Sequence, residues 1–157
     1  MAYTTVTQIR QEAGFQNNTN VTDAIITEYQ TRAYNTVRGY TARRYALSTL
    51  SGSTFTGSQA ESVLTQCELL LAAGWLLMNQ YAGQPTGEAV GKEKLDRSMD
   101  MLADIAAGKL VLLDTSSAEF TSDVASVGGI SPALSSPPRT DSDPTSSERH
   151  FSVDTKW

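Results

Sequence analysis

One histidine, one cysteine and a row of carboxylates are the residues of this 157-residue chain best suited to chemistry, and none has the company that chemistry needs. His150 lies in a stretch dominated by Ser, Thr and Pro, away from any element that would fix its ring for proton transfer. Cys67 falls among leucines and alanines, where the expectation is a small buried hydrophobe rather than a nucleophile. Glu93, Asp96, Asp100 and Asp104 recur at helical spacing, as a carboxylate ladder for a metal ion would. Lys92, Lys94 and Arg97 are interspersed with them, so a solvated, salt-paired face is expected instead. There is no HExxH, no glycine-rich phosphate loop after a strand, and no paired Cys or His ligands. The expectation is therefore no catalytic residue, no metal and no cofactor: the chain does not read as an enzyme.

Two other clusters suit recognition. The stretch Arg38-Gly39-Tyr40-Thr41-Ala42-Arg43-Arg44-Tyr45 interleaves cations with aromatics, a pattern found where single-stranded nucleic acid is stacked and gripped. The same residue types are enriched in protein interfaces, and arginines in a last helical turn also complement the helix dipole. The second cluster is Glu148-Arg149-His150-Phe151-Ser152-Val153-Asp154-Thr155-Lys156-Trp157, a compact aromatic and charged motif after a long polar stretch. Phe151, Val153 and Trp157 have the spacing of a docking peptide that anchors in a groove.

Four helices are expected to position these groups. The first runs from about Thr5 to Ala13, with Thr5 and Gln8 at capping-box spacing and Gly14 as a left-handed stop. The second begins after Thr22 and extends to about Tyr45, its apolar positions Ile26, Tyr29, Ala33, Val37 and Tyr40 stepping by three or four. Residues 46–57 form a loop of Ser, Thr and Gly, longer than most connections and so expected to make contacts. Ser58 and Glu61 cap a third helix to about Tyr81; it is apolar nearly all round and belongs at the centre of a bundle or under neighbouring subunits. Gly83-Gln84-Pro85-Thr86-Gly87 stops it, and a fourth helix spans about Glu88 to Ala107. The short apolar run Leu110-Val111-Leu112-Leu113 fits either a strand or a last piece packed on the bundle.

The expected fold is all-α, a small four-helix bundle over residues 1–113 with a long extended C-terminal tail. Half of residues 114–157 are Ser, Thr, Pro or Gly, too little apolar surface to offset the entropy of ordering them. That tail divides into a flexible linker, 114–147, and a docking segment, 148–157. The bundle holds 10 acidic and 9 basic side chains against 7 and 3 in the tail, so the tail carries most of the net charge of −5. A near-neutral bundle has no basic excess to bind DNA by counterion release. A lone cysteine excludes an intrachain disulfide, the start lacks a basic, apolar leader, and the longest apolar run, Leu69–Met78, is half the ~20 residues a membrane span needs. A soluble protein without a membrane partner is expected.

The helix order, together with the closure Ile105-Ala106-Ala107-Gly108-Lys109-Leu110 and the ending Arg149-His150-Phe151-Ser152-Val153-Asp154, resembles the head-to-tail connector proteins of tailed phages, the head-completion or adaptor family. The likeness covers about residues 5–113 and the last ten. It implies a ring, typically of twelve copies, in the virion neck between the portal protein and a stopper or tail-completion protein, with DNA passing through its lumen unbound. It further implies portal docking by the C-terminal segment, which places Arg149, His150, Phe151, Val153, Asp154 and Trp157 at that contact. Arg38, Tyr40, Arg43, Arg44, Tyr45, Leu50 and Phe55 are expected at a subunit or ring-to-ring contact. The linker is longer and richer in Ser and Pro than the family pattern. A small helical nucleic-acid-binding module, or a scaffolding protein with a peptide tail, is the competing expectation.

Overall fold

Residues 2–120 are described by a computed structural model, in which four helices follow one another: α1 Val6–Glu12, α2 Asp23–Thr41, α3 Gln59–Gln80 and α4 Pro85–Ala107. The architecture is all-α; among the described residues the sole β pairing is an isolated antiparallel bridge between Leu113 and Glu119.

The helix starts follow the capping chemistry read from the sequence. Thr5 and Gln8 form a reciprocal box: Gln8 N donates to Thr5 Oγ1 at 3.3 Å, and Thr5 N donates to Gln8 Oε1 at 2.8 Å. Thr22 caps α2 through the Ile25 amide at 3.4 Å. Ser58 caps α3 through the Glu61 amide at 3.1 Å, while the Glu61 carboxylate reaches past the cap to the Gly57 amide at 2.6 Å.

Two boundaries differ from expectation. α4 begins at Pro85 rather than near Glu88, because a proline at the first helical position lacks only an amide that would go unpaired there anyway. α2 ends at Thr41 rather than Tyr45. Beyond it the chain tightens: Arg43 N bonds to Tyr40 O at 3.2 Å and Arg44 N to Thr41 O at 3.0 Å, three-residue steps that close the last turn.

The core is built around α3. Leu64, Cys67, Leu71, Ala72, Ala73 and Leu76 are fully buried there, against Ile9, Ile26, Ala33 and Val37 on one side and Leu102 and Ile105 on the other. By length and composition α3 also passes as a membrane span, yet half of it is buried among its own neighbours. Its all-round apolarity is therefore largely accounted for inside one chain. α3 and α4 approach closely where Gly74 meets Gly91: a Cβ on Gly74 would lie 2.9 Å from the Gly91 carbonyl oxygen, and one on Gly91 2.9 Å from that of Gly74.

The chain after α4 corrects the expected boundary between bundle and linker. Residues 110–120 form a strap across the bundle, with Leu112 fully buried and Phe120 nearly so. Leu113 O accepts from Ala60 N at 3.1 Å, Thr115 N donates to Thr54 O at 3.1 Å, and Phe120 N returns to Leu112 O at 3.1 Å. The Asp114 carboxylate turns the strap by accepting from the Ser116 and Ala118 amides at 2.8 and 2.9 Å, with Ser117 in the left-handed region at φ 64°. Polar turn residues at 114–118 read as linker; Phe120, buried behind them, makes them structure. The short run 110–113 is a last piece packed on the bundle, paired through one bridge.

Candidate functional site

The cation–aromatic stretch at the end of α2 separates into residues that hold the fold and residues that face outward. Arg44 turns inward to the strap. Its Nη2 lies 2.6 Å from Glu119 Oε1, and its guanidinium rests against Gly108, the left-handed residue that ends α4. Tyr45 is buried, and its hydroxyl accepts from Leu112 N at 3.1 Å and donates to Glu119 Oε1 at 3.3 Å. Leu50 and Phe55, from the 46–57 loop, are also in the core, each 5% exposed. Tyr45, Leu50 and Phe55 are thus placed in this chain's own interior rather than on an open contact face. Their burial follows from the strap and the loop closing over the α3 start, a tertiary effect with no local sequence signature.

Arg38 and Arg43 are exposed and each lies over an aromatic ring: Arg38 over Tyr34 at 5.4 Å, Arg43 over half-buried Tyr40 at 4.7 Å. Arg32, which the sequence did not single out, lies over Trp75 at 4.4 Å. Three guanidinium–aromatic pairs therefore decorate the flanks of α2. No family model, curated protein or solved structure matches the chain.

Arg38 lines a cleft of about 310 Å³ together with Tyr3, Tyr34, Leu47, Leu50 and Phe55 and the polar Ser51, Thr56 and Glu61. The rings form a chain: Tyr34 to Tyr3 at 5.5 Å, Tyr3 to Phe55 at 5.7 Å, and Phe55 to Phe120 at 6.2 Å. Burial, with Tyr34 and Glu68 nearby, pushes the Tyr3 hydroxyl up to about 12, so this wall stays neutral.

Glu68 holds that wall in place. It is fully buried on α3, where Oε2 accepts from Tyr3 N at 2.9 Å and Oε1 from Thr4 N at 3.1 Å and from the Thr4 hydroxyl. Gln30 of α2 grips the same turn through the Thr4 carbonyl. Burial raises the Glu68 carboxyl above its ordinary range, against the pull of those three donors. A glutamate at an apolar helix's inward position, with no cation one turn away, is the signal that marks it in the sequence; its partners 64 and 65 residues distant leave none.

The carboxylate row of α4 lies along an open outer face. Lys94 pairs with Glu12 of α1 rather than with its own helix, and Asp104 pairs with Lys109 at 3.5 Å. Among the described residues no three His, Cys, Asp or Glu come close enough to share a metal ion. Cys67 is fully buried and its thiol is pushed up to about 12 by desolvation, which keeps it out of thiolate chemistry. Arg149, His150, Phe151, Val153, Asp154 and Trp157 lie outside the described residues.

The strap's attachment is testable. The Arg44 guanidinium beside Glu119 holds that carboxyl below the usual carboxylate range, and amide donors from the turn, Ala118 first, do the same for Asp114. A lowered folded value means the contribution is present above the ordinary carboxylate pKa of about 4 and is lost as pH falls through the lowered values. Hydrogen exchange at the Phe120 amide should therefore lose protection below about pH 4, and Glu119→Gln should lose part of it at neutral pH. Unchanged protection in both experiments would mean Arg44 and Asp114 do not fasten the strap.

Proposed function

We propose that this protein is a structural adaptor of a tailed-phage neck: copies of the bundle, on the family pattern about twelve, form a ring between the portal protein and a stopper or tail-completion protein. The observation that carries the reading is the outward chemistry of α2. Arg32–Trp75, Arg43–Tyr40 and Arg38–Tyr34 present stacked guanidinium and aromatic groups, the residue types that dominate interface hot spots. The helix order and the Ala106-Ala107-Gly108-Lys109-Leu110 closure support it as resemblance. In this reading Arg38, Tyr40 and Arg43 belong to the subunit contact, Arg32 joins them, and Arg44 serves the fold. DNA runs through the lumen without specific contacts, in keeping with a bundle of nearly balanced charge. The 148–157 segment carries portal attachment, and the virion neck is the site of action.

Light scattering of the full chain, alone and mixed with portal protein, tests this. The expected result is a multi-subunit ring on the portal, with attachment lost on deletion of 148–157 while helical circular dichroism persists. A monomer indifferent to portal overturns the proposal. The same exposed cations favour a second reading, nucleic-acid binding by Arg32, Arg38 and Arg43. Three neutralised phosphates would give a log–log salt slope of about −3 in retention of the monomer on DNA. Ring formation with no such slope separates the two.

A further inference from the structure

We propose that the guanidinium face of α2 docks on the acidic ridge of α4 in a second copy of this chain, with Arg32 and Arg38 gripping Asp96 and Asp100 of the partner subunit. The inference rests on the adaptor reading's contact between copies and names the surface on its far side.

Charge left unpaired on both faces selects this occupant. Within the chain, Arg10 pairs with Asp23, Arg44 with Glu119, Lys94 with Glu12 and Lys109 with Asp104. Among the described residues, Arg32, Arg38 and Arg43 have no carboxylate within ion-pair distance, and Glu93, Asp96 and Asp100 have no cation. Lys92 and Arg97 stand beside that acidic row, likewise outside ion-pair distance of it. Each of the three arginines is held against a ring instead, at 4.4, 5.4 and 4.7 Å from Trp75, Tyr34 and Tyr40 respectively. A side chain already restricted in this way loses less freedom on binding, and a stacked guanidinium keeps its N–H edge for a carboxylate.

The two faces also match in relief and direction. On α2 the exposed Thr31, Asn35 and Gly39 form a low floor, with Arg32 on one edge and Arg38 on the other at helical spacing. Nothing lies within 4 Å of a Cβ placed on Gly39, so the floor is open. On α4 the exposed Glu93, Asp96 and Asp100 stand in one ridge that fits between such edges. Arg44, just beyond α2, rests against Gly108 at the end of α4, and both helices pack along α3, so they finish at the same end of the bundle. Rotation about an axis along the bundle therefore sets α2 of one copy parallel to α4 of the next. In that direction the charge order is complementary: Glu28, Arg32 and Arg38 rise by about 6 and 9 Å, and Lys92, Asp96 and Asp100 by about 6 and 6 Å. The arginine side chain is long enough to absorb the difference. A face that meets a different face of the next copy repeats until the rotation closes, which is how a ring is built.

Sedimentation velocity of the full chain at millimolar concentration and low salt tests it. Wild type is expected to assemble, and to be dispersed by added salt. One variant carries Arg32→Asp with Arg38→Asp, another Asp96→Arg with Asp100→Arg, and each should assemble about tenfold more weakly than wild type. Mixed one to one, the two should regain wild-type assembly, because each keeps one native face and their reversed faces match each other. Arginines that served DNA instead would give no such rescue. Variants that assemble as wild type does, or a mixture that stays apart, would overturn the proposal and leave an adaptor ring to be built through other faces. A wild type that stays monomeric here also overturns it, while the portal experiment still decides the adaptor reading by itself. All four positions are exposed, and circular dichroism of each variant checks that the bundle is intact.

Discussion

Gly74→Ala is expected to lower stability by about 1 kcal/mol, while Gly39→Ala raises it by about 0.5–1 kcal/mol. Both glycines lie inside helices, so alanine gains the same ~1 kcal/mol of helix propensity at each. The surroundings decide the sign. Nothing lies within 4 Å of a Cβ placed on Gly39, on the exposed face of α2. At Gly74 the new Cβ would be 2.8 Å from Leu95 Cγ and 2.9 Å from the Gly91 carbonyl oxygen. Leu95 is a flexible side chain and can yield; the Gly91 oxygen is backbone and moves only if α4 moves. Overpacking of a fitted interface costs ~1–3 kcal/mol, which exceeds the propensity gain. Urea midpoints of the two variants against wild type check this. Adding Leu95→Ala to Gly74→Ala should recover little, because the backbone contact persists. A Gly74→Ala protein as stable as Gly39→Ala would mean the helices do not meet this closely.

That crossing also marks where sequence reading runs out. The caps Thr5, Thr22 and Ser58 were legible because each acts on an amide three residues away, and the apolar period of α3 was legible because it recurs along one helix. Nothing within either helix gives Gly74 or Gly91 a role; their meaning comes from each other across 17 positions. Arg44 illustrates the same limit. Its place in the Arg/Tyr cluster pointed to an outside partner, but its carboxylate, Glu119, lies 75 residues on in the same chain. Leu50 and Phe55 sat in a Ser/Thr/Gly loop expected to contact another subunit, and they are core in this chain, with Phe55 packed on Phe120 of the strap. Short-range chemistry fixed the elements; contacts closing over long separations assigned which of the cluster's residues remain available to a partner.

Glu68 is where the largest loss is expected. Glu68→Ala should cost about 4 kcal/mol, since it leaves the buried Tyr3 and Thr4 amides and the Thr4 hydroxyl without acceptors and opens a cavity beside α3. Glu68→Gln retains the volume and removes the titration, so the difference between wild type and Glu68→Gln isolates the carboxyl's own pH dependence. Its folded pKa is raised, so the proton is held more tightly in the fold than in the unfolded chain. The stabilisation is therefore fully present below the ordinary glutamate value of about 4.3 and is lost as pH rises through the raised folded value. Urea unfolding of both proteins from pH 4 to 8 should show wild type losing ground to Glu68→Gln as pH rises. Asp114 and Glu119 titrate alike in both proteins and cancel. Parallel curves across that range would mean Glu68 is not the buried, desolvated group described. The same carboxylate fixes Tyr3, a wall of the aromatic cleft, through that residue's amide.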